Sequence, residues 1–452
     1  MPFSFIKYVR PHWQFNVVCE GKGMLPSCIA STEYCSELPI DSLFETIAAR
    51  QADLGYRLCS TGYLLESKQE EIQKHLRLPV PTIKDEYRFI RKYWGAYWAI
   101  FVLLRRLLSF CNPIDELQGF YGSRDTKKIN LFEAYNPWKH YDAFESPLIS
   151  IDPFVCVVIP TLNRYGYLAD VLRDLGAQTY KNFEVIVVDQ SDEFKPDFYN
   201  CFDLNIRVVR QENKALWTAR NKAVELTDSD YLLFFDDDSR VDPDWIFHHL
   251  KCLDFFGVDV SAGVSFSIAG GKISGSYSFF RWADQFDSGN AMVKRSLFEK
   301  TGLFDLTFDS QRMGDGEFGF RLHRSGIRSI SNPKAKRLHL KAGEGGLRDI
   351  GSWDGFRLKK LFAPKPVPSV IYLYRKYLPS ELYKNAIFLG LVLSNVPYRF
   401  KGNTVMIFFS VLLSFFKAPL LFIQLRVSKA KADKMQQRIP FLKEKTFDSV
   451  TR

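Results

Sequence analysis

The sequence predicts an α/β protein with a mostly parallel sheet flanked by helices. Two observations indicate this class. Four short apolar runs lie between residues 154 and 235, and segments with helical spacing of apolar residues separate them. A continuous apolar run is typical of a strand buried on both faces of a parallel sheet. Strands that alternate with helices at this spacing indicate a doubly wound, Rossmann-like arrangement.

The elements follow in order along the chain. We predict strands over residues 154–160, 183–188, 206–209 and 231–235, and helices over residues 167–175 and 219–226. Ligands of such sheets bind at the carboxyl ends of the strands. That edge should therefore carry three polar clusters, which are Thr161–Arg164, Asp189–Asp192 and Asp236–Asp238.

Length and composition limit the possibilities further. A chain of 452 residues suggests two or three domains. The net charge of +10 suits anionic substrates or an anionic membrane face, and no motif for nucleic-acid binding accompanies it. Eight scattered cysteines without a CxxC pair indicate reduced thiols. With no signal peptide at the N-terminus, we expect the catalytic part to face the cytoplasm.

Three regions are predicted. Residues 1–150 form an N-terminal accessory region of unknown role, residues 151–347 form the α/β domain, and residues 348–452 form a helical C-terminal region. Within the first region, Tyr93–Cys111 is apolar but contains two arginines, so a buried or interfacial helix is expected instead of a membrane span. Residues 136–153 are polar and contain prolines, which is typical of a linker.

The C-terminal region is predicted to associate with a membrane. Residues 370–396 are helical and aromatic, and residues 405–416 are intensely apolar before Lys417 and Pro419 interrupt them. This segment could be a tilted spanning helix or two amphipathic pieces at a bilayer surface. The basic residues that follow suit anionic headgroups.

The triplet Asp236–Asp238 is the most informative motif. Three carboxylates at the end of a buried strand repel each other, and a divalent cation would offset that repulsion. A solvated acidic turn would also explain the triplet alone. Because two further polar clusters are expected at the same sheet edge, we favour a site where a metal ion meets phosphate oxygens.

Six motifs in this order resemble inverting glycosyltransferases of family two, which have the GT-A fold. The resemblance covers roughly residues 150–345. It rests on segments 158–164, 187–192, 219–221, 234–238, 288–290 and 314–322, and the triplet corresponds to the DxD motif of that family. It implies a nucleotide-sugar donor, with Mn²⁺ or Mg²⁺ as the cofactor.

The resemblance also implies roles for individual residues. Asp238 and His339 would be metal ligands, Ser288, Gly289, Asn290 and Trp282 would contact the donor sugar or the acceptor, and Asp189 would read a uracil base. The donor nucleotide would also contact Pro160, Thr161, Asn163, Arg164, Arg220, Asp236 and Asp237. Glycines in residues 342–346 suggest a mobile loop over the donor, and an ordinary glycine-rich turn would explain them equally well.

The catalytic base is expected at Asp315, with Glu317 as the alternative. Inversion at the anomeric carbon requires one base within hydrogen-bond reach of the attacking hydroxyl. The family commonly has Glu-Asp here, whereas this chain has Gly314 before Asp315. An acidic N-terminus of a helix would place both carboxylates equally well.

These observations predict a metal-dependent inverting glycosyltransferase at the cytoplasmic face of a membrane, without nucleic-acid partners. It would transfer a sugar from a nucleotide-sugar donor, with a UDP-sugar as the favoured donor, to a hydroxyl group of a glycan or lipid-linked acceptor in cell-surface polysaccharide synthesis. A non-catalytic GT-A scaffold in a glycan assembly complex is one alternative. A nucleotidyltransferase is another, although the Gly-rich basic loop typical of those enzymes is missing after the first strand.

Overall fold

The computed structural model describes residues 3–9, 38–65, 77–268, 273–283, 286–343, 355–357, 361–396, 400 and 403–442. Nine strands of these residues form one sheet with the order β3-β2-β1-β4-β8-β6-β9-β5, and β7 pairs with β9. The strands are β1 (Val155–Thr161), β2 (Phe183–Asp189), β3 (Ile206–Arg210), β4 (Tyr231–Phe235), β5 (Ser239–Val241), β6 (Val260–Ser267), β7 (Arg281–Trp282), β8 (Asn290–Lys294) and β9 (Ser329–His339).

Fourteen α-helices occur in the described residues. They are α1 (Ile47–Ser60), α2 (Ile83–Tyr93), α3 (Ala96–Leu107), α4 (Pro113–Gly122), α5 (Pro147–Ser150), α6 (Tyr165–Gly176), α7 (Leu216–Leu226), α8 (Trp245–Phe256), α9 (Leu297–Thr301), α10 (Gly314–Arg324), α11 (Pro368–Tyr377), α12 (Ser380–Leu393), α13 (Thr404–Phe416) and α14 (Ala418–Ala432). The predicted α/β class is confirmed, since β1, β2, β3 and β4 are mutually parallel.

The sheet is buried on both faces, as the apolar runs predict. Along β1, Val155, Val157 and Ile159 pack into one hydrophobic cluster, whereas Cys156 and Val158 pack into another. Successive side chains of a strand point to opposite faces, so an uninterrupted apolar run is what a sheet covered on both sides needs. The four predicted strands match β1 to β4 within one residue at each end.

The N-terminal region packs directly on the sheet. Leu54 and Leu58 of α1 belong to the same hydrophobic cluster as β1 and β2. Tyr141, within the predicted linker, is also buried in that cluster. The linker prediction is therefore wrong for this residue, because its ring contributes to the core while the polar residues around it face solvent.

The C-terminal region packs on the other face. Val370 and Leu373 of α11 and Leu382 of α12 join the cluster that contains Val158. The single predicted helix over residues 370–396 is two helices, because Pro379 offers no backbone N–H to continue the first one.

Helix α13 has the most apolar sequence of the described helices, and α14 follows it with an apolar first half and a basic second half. Among the helices that the structure describes, none alone is long and apolar enough to cross a bilayer. Val405–Phe416 and Ala418–Ala432 pass that test together, but they are bent by 81°. After α14 the chain returns to the sheet domain, where Leu303 and Leu306 donate backbone hydrogen bonds to the carbonyl oxygens of Pro440 and Arg438.

Candidate active site

The carboxyl ends of the parallel strands meet at one edge of the sheet. Thr161 at the end of β1 lies in register with Asp189 at the end of β2, and Asp236 directly follows β4. Strand β9 brings a distant residue to this edge, since His339 pairs with Ser239 of β5, immediately after the acidic triplet. The sheet topology therefore assembles the site from segments separated by more than a hundred residues.

Asp236 lies between two arginines. Its Oδ1 accepts a hydrogen bond from Arg220 Nη2 at 2.9 Å, and its Oδ2 accepts one from Arg337 Nη1 at 2.7 Å. Burial opposes ionisation, but the charges of Arg337 and Arg220 hold the pKa of Asp236 well below its usual range. Asp236 is therefore a carboxylate at neutral pH.

Asp237 is buried behind this edge and forms hydrogen bonds with two of its neighbours. Its Oδ2 accepts a hydrogen bond from the Thr161 hydroxyl at 2.8 Å, and its Oδ1 accepts one from Arg164 at 2.8 Å. Burial and the neighbouring Asp238 raise the pKa of Asp237 to about 6, against the opposing charge of Arg164. Asp237 therefore links β1 and the start of α6 to the triplet.

Asp238 and His339 form the best donor set for a metal ion. His339 Nε2 lies 3.2 Å from Asp238 Oδ1, and Asp238 Oδ2 accepts a hydrogen bond from the Ala342 amide at 2.9 Å. Ligand atoms of Asp236, Asp238 and His339 all lie within 4.8 Å of one another. Two carboxylates and an imidazole suit Mn²⁺ or Mg²⁺, so these residues fit the implied ion.

Asp315 is the second residue of helix α10, and the charges of Asp287, Arg220 and Asp236 act on it. Burial and the charge of Asp287 raise the pKa of Asp315 to about 6, while the Gly316 amide and Arg220 act in the opposite direction. A carboxylate with a pKa near neutrality can take a proton from a hydroxyl group. The raised pKa of Asp315 is compatible with the predicted role of catalytic base.

Close packing against Trp217 explains why residue 314 is a glycine. A Cβ atom on Gly314 would lie 2.2 Å from Cε2 of Trp217. Trp217 in turn lies under the Arg220 guanidinium, 5.0 Å from its ring centroid. The indole thus leaves no room for a side chain at position 314, where the family pattern has Glu, and it packs against the Arg220 guanidinium.

Gly289 and Ser288 lie at the site through their backbones. A Cβ atom on Gly289 would lie 2.0 Å from Arg337 Nη1 and 2.2 Å from Asp236 Oδ2. The carbonyl oxygens of Ser288 and Gly289 accept hydrogen bonds from Arg220 and Arg337, each at 2.9 Å. Only glycine fits at position 289, and the structure gives both residues the role of holding the arginines.

Glu317 is not available as a base, contrary to the alternative above. Its side chain is fully buried, and it accepts hydrogen bonds from Arg321 at 2.9 Å, Lys376 at 3.0 Å and Tyr377 at 2.7 Å. Although burial opposes ionisation, Arg321 and Lys376 keep the pKa of Glu317 below its usual value. Glu317 joins α10 to α11, and Asp315 alone keeps the predicted role of the base.

Two residues predicted to contact sugars lie in the interior. Trp282 is 2% exposed, and its indole N–H donates to the carbonyl oxygen of Leu65 at 3.1 Å. Asn290 is fully buried, and its Oδ1 accepts a hydrogen bond from Trp245 at 2.8 Å. These two assignments are wrong, because both side chains satisfy polar groups inside the core.

The loop after β2 also differs from the prediction. Asp189 is fully buried; its Oδ1 accepts from the Ser191 amide, and its Oδ2 accepts from Tyr165 and Tyr199 at 2.5 and 2.8 Å. The structure gives Asp189 the role of fixing this loop and does not support contact with a uracil base.

The remaining nucleotide candidates lie beside this loop. Exposed Asn163, with a positive φ of 57°, exchanges hydrogen bonds with Asp192 through its amide side chain. Pro160 is buried within β1. Whether Asn163 or Pro160 contacts a nucleotide stays a prediction.

Two site residues escaped the sequence interpretation. Arg337 pairs with Asp236, and its Nη2 lies 3.0 Å from Asp287 Oδ2. The spacing of Arg337 and His339 could have indicated the arginine, because alternate residues of a strand face the same side. Asp287 had no such signal. Of the predicted loop, Glu344, Gly345 and Gly346 lie outside the described residues.

Comparison with known proteins places part of the chain in a known family. Residues 156–310 match the family model Glycosyl transferase family 2. Glycosyltransferase GlyA of Streptococcus pneumoniae is 26% identical over 168 residues, which is 36% of this chain and only 23% of GlyA. The resemblance to family two is confirmed for this segment, which is a glycosyltransferase domain.

Two solved structures are similar to part of the chain at low sequence identity. S. aureus TarS 1-349 in complex with UDP-GlcNAc has 17% identity and a TM-score of 0.44, covering 61% of this chain and 80% of TarS. The mannosyltransferase PcManGT from Pyrobaculum calidifontis, in complex with GDP-Man and Mn²⁺, has 16% identity and a TM-score of 0.41, covering 66% and 93%.

Proposed function

Since residues 156–310 are a glycosyl transferase family 2 domain, we propose that the protein is a metal-dependent inverting glycosyltransferase. It transfers a sugar from a nucleotide-sugar donor to a hydroxyl group of a glycan or lipid-linked acceptor. The observation that carries this proposal is the group Asp236, Asp238 and His339 at the carboxyl edge of the sheet. Such an edge is where α/β sheets bind their ligands.

Two groups of residues at this edge would contribute to donor binding: the metal-binding group and the arginines around it. Asp238 and His339, with Asp236, would hold Mn²⁺ or Mg²⁺, which as a Lewis acid neutralises charge on the departing nucleoside diphosphate. Arg164 lies 3.4 Å from Asp238 and supplies a further positive charge. Arg220 and Arg337 orient Asp236 and keep it ionised.

Asp315 acts on the acceptor. In an inverting transfer, the acceptor oxygen attacks the anomeric carbon as the bond to the diphosphate oxygen breaks, and the acceptor proton passes to a base. Asp315 takes that proton onto its carboxylate. The position of Asp315 at the N-terminus of α10, beside Asp287 and Arg220, supports this role.

The buried position of Asp189 leaves open which nucleobase the donor carries. A UDP-sugar was favoured because Asp189 was expected to accept the uracil imide hydrogen, and its buried, hydrogen-bonded side chain withdraws that support. We therefore propose a nucleotide-sugar donor and leave its nucleobase to be determined by the screen of UDP-, GDP- and dTDP-sugars.

The test is a turnover screen. The purified chain is incubated with UDP-, GDP- and dTDP-sugars and Mn²⁺, and release of nucleoside diphosphate is measured with and without EDTA. We expect slow, Mn²⁺-dependent hydrolysis of one donor class, since water can replace the acceptor. Failure to release or bind any nucleotide would reject a catalytic role and favour the non-catalytic scaffold. The pairing of both Asp236 oxygens with arginines would also be compatible with a scaffold.

The C-terminal helices suggest where the enzyme works. Phe415 and Phe416 at the end of α13 are 74% and 84% exposed, and basic residues follow in α14. We propose that α13 and α14 contact the cytoplasmic face of a membrane, where the enzyme contributes to cell-surface polysaccharide synthesis. Substituting Phe415→Glu and Phe416→Glu should move the protein from the membrane to the soluble fraction. Point variants are preferable to truncation, because residues 438–440 pack against Leu303 and Leu306.

A further inference from the structure

Helix α3 in the N-terminal region has an apolar face that nothing in the described chain covers. Its buried face carries Ala99, Val102 and Leu103. The opposite face and the turn after it expose large apolar side chains, which are Tyr97 (74%), Ile100 (43%), Leu104 (55%), Leu108 (77%) and Phe110 (98%). Single exposed apolar residues are common, but a contiguous patch usually marks an interaction site.

Helix α4 extends this patch. Ile114, Leu117 and Tyr121 are 64%, 39% and 60% exposed, and their spacing places them on one side of the helix. Because α4 follows α3 after a short turn, we name the two exposed faces together the α3–α4 apolar surface.

The charges around this surface are mainly basic. Arg124, Lys127 and Lys128 follow α4 and are exposed. Two of the nearby carboxylates are paired, Glu116 with Arg106 and Asp125 with Arg88. Within the part of the chain that the structure describes, Arg124, Lys127 and Lys128 form no ion pair. Apolar side chains bordered by such basic groups fit a bilayer surface with anionic headgroups.

The α3–α4 apolar surface is connected to the C-terminal helices. Arg105 of α3 donates a hydrogen bond to Asn385 of α12 at 2.9 Å and lies 4.3 Å above the ring of Phe388. Asn395, two residues after the end of α12, donates a hydrogen bond to the hydroxyl group of Ser414 of α13 at 2.9 Å. A contiguous path of packed helices therefore joins the two exposed apolar regions.

From this geometry we infer that the α3–α4 apolar surface is a second membrane contact, which inserts into the interface of an anionic bilayer. It would hold the enzyme to the membrane at two places and limit how the catalytic edge can be oriented. This inference rests on the proposed membrane contact of α13 and α14, and it assigns a role to part of residues 1–150.

The test uses the full chain and sedimentation with vesicles. Vesicles of phosphatidylcholine mixed with phosphatidylglycerol are compared with vesicles of phosphatidylcholine alone. The variant is Leu104→Glu with Leu108→Glu, and the matched control is Ile151→Glu with Ile268→Glu, whose side chains are 75% and 60% exposed on the sheet domain. Leu104→Gln with Leu108→Gln, which adds no charge, guards against a folding defect.

We expect the Leu104/Leu108 variants to bind mixed vesicles at least about tenfold more weakly, with the Glu pair weaker than the Gln pair, and the control to bind like wild type. Wild-type binding should also be weaker to phosphatidylcholine alone. Unchanged binding of the Leu104/Leu108 variants, with loss in Phe415→Glu/Phe416→Glu, would overturn the inference while leaving the C-terminal contact intact.

Two other outcomes would also overturn it. If wild type does not sediment with vesicles, both the inference and the proposed membrane contact fail, while donor turnover tests the enzyme separately. If the Leu104/Leu108 variants instead lose a dimer detected in wild type by sedimentation velocity, and bind vesicles normally, the surface joins two copies of the chain.

Discussion

Arg337 Nη1 lies 2.7 Å from Asp236 Oδ2, and Nη2 of the same guanidinium lies 3.0 Å from Asp287 Oδ2. One side chain of β9 therefore holds together the end of β4 and the loop before β8. Arg337 is 3% exposed, and these two carboxylates compensate its buried positive charge. The same arginine fixes the carboxylate that the proposed metal ion needs.

Removing this guanidinium should destabilise the fold. We expect Arg337→Met to lower the free energy of unfolding by about 2–3 kcal/mol, less than for a fully buried pair because the two carboxylates are partly exposed. Urea unfolding would measure the loss. Arg240→Met is the control, since Arg240 and Asp174 form a surface pair for which about 0–1 kcal/mol is expected. A similar loss in both variants would contradict the central role of Arg337.

Asp315→Asn should separate binding from transfer. The amide keeps the size of the side chain but cannot take a proton, so we expect transfer to fall by about 10²–10⁴-fold. Nucleotide affinity should change little, because the donor residues are elsewhere on the edge. Full transfer activity in Asp315→Asn would show that another group is the base.

The pH dependence of turnover should report Asp315. The base must be ionised and its pKa is raised to about 6, so kcat/KM should rise with pH up to about 6 and then level off. Asp237 also has a pKa raised to about 6. Asp237→Asn is therefore the control, and it should keep the acidic limb of the profile if Asp315 is the base.

The same shift has a consequence for stability. Between the usual pKa of a carboxyl group and about 6, the folded chain holds the Asp315 proton more tightly than the unfolded chain, so stability falls as pH rises through this window. Asp315→Asn should remove that part of the pH dependence. Thermal unfolding of wild type and Asp315→Asn across this pH range measures the effect. If the Asp315 carboxyl group were solvated, stability would change with pH in the same way in both proteins.

Gly314→Ala tests the packing of Trp217 against α10. The new Cβ would lie 2.2 Å from the indole, so we expect a loss of about 1–3 kcal/mol in the free energy of unfolding. Gly316→Ala is the matched control two residues later in the same helix, where the nearest atom would be 3.5 Å away. Equal stability of the two variants would contradict the contact.

The sequence was informative where burial follows from apolar pattern. Strands β1 to β4 and the edge with Thr161 and Asp238 could be predicted, because runs of apolar residues and their polar ends follow directly from a sheet covered on both faces. The helical break after Phe416 was also visible as Lys417 and Pro419, whereas the break at Pro379 was not predicted.

Polar residues inside the protein could not be predicted in the same way. Glu317 looked like a second candidate base, and only Lys376 and Tyr377, about sixty residues further along, identify it as structural. Asp189 and Asn290 are similar, since their partners are set by tertiary packing. The packing of the N-terminal helices could not be predicted, because α2 buries charged residues that have the sequence pattern of surface positions. Lys92, for example, is paired with Asp53.

The most direct test of the central proposal is calorimetric titration of nucleoside diphosphate into the chain, with and without Mn²⁺, for wild type and Asp238→Ala. We expect wild type to bind the diphosphate of its donor far more tightly with Mn²⁺, and Asp238→Ala to lose that gain while keeping the fold. Mn²⁺-dependent binding that is equal in the two proteins would contradict the assignment of Asp236, Asp238 and His339 as the metal site.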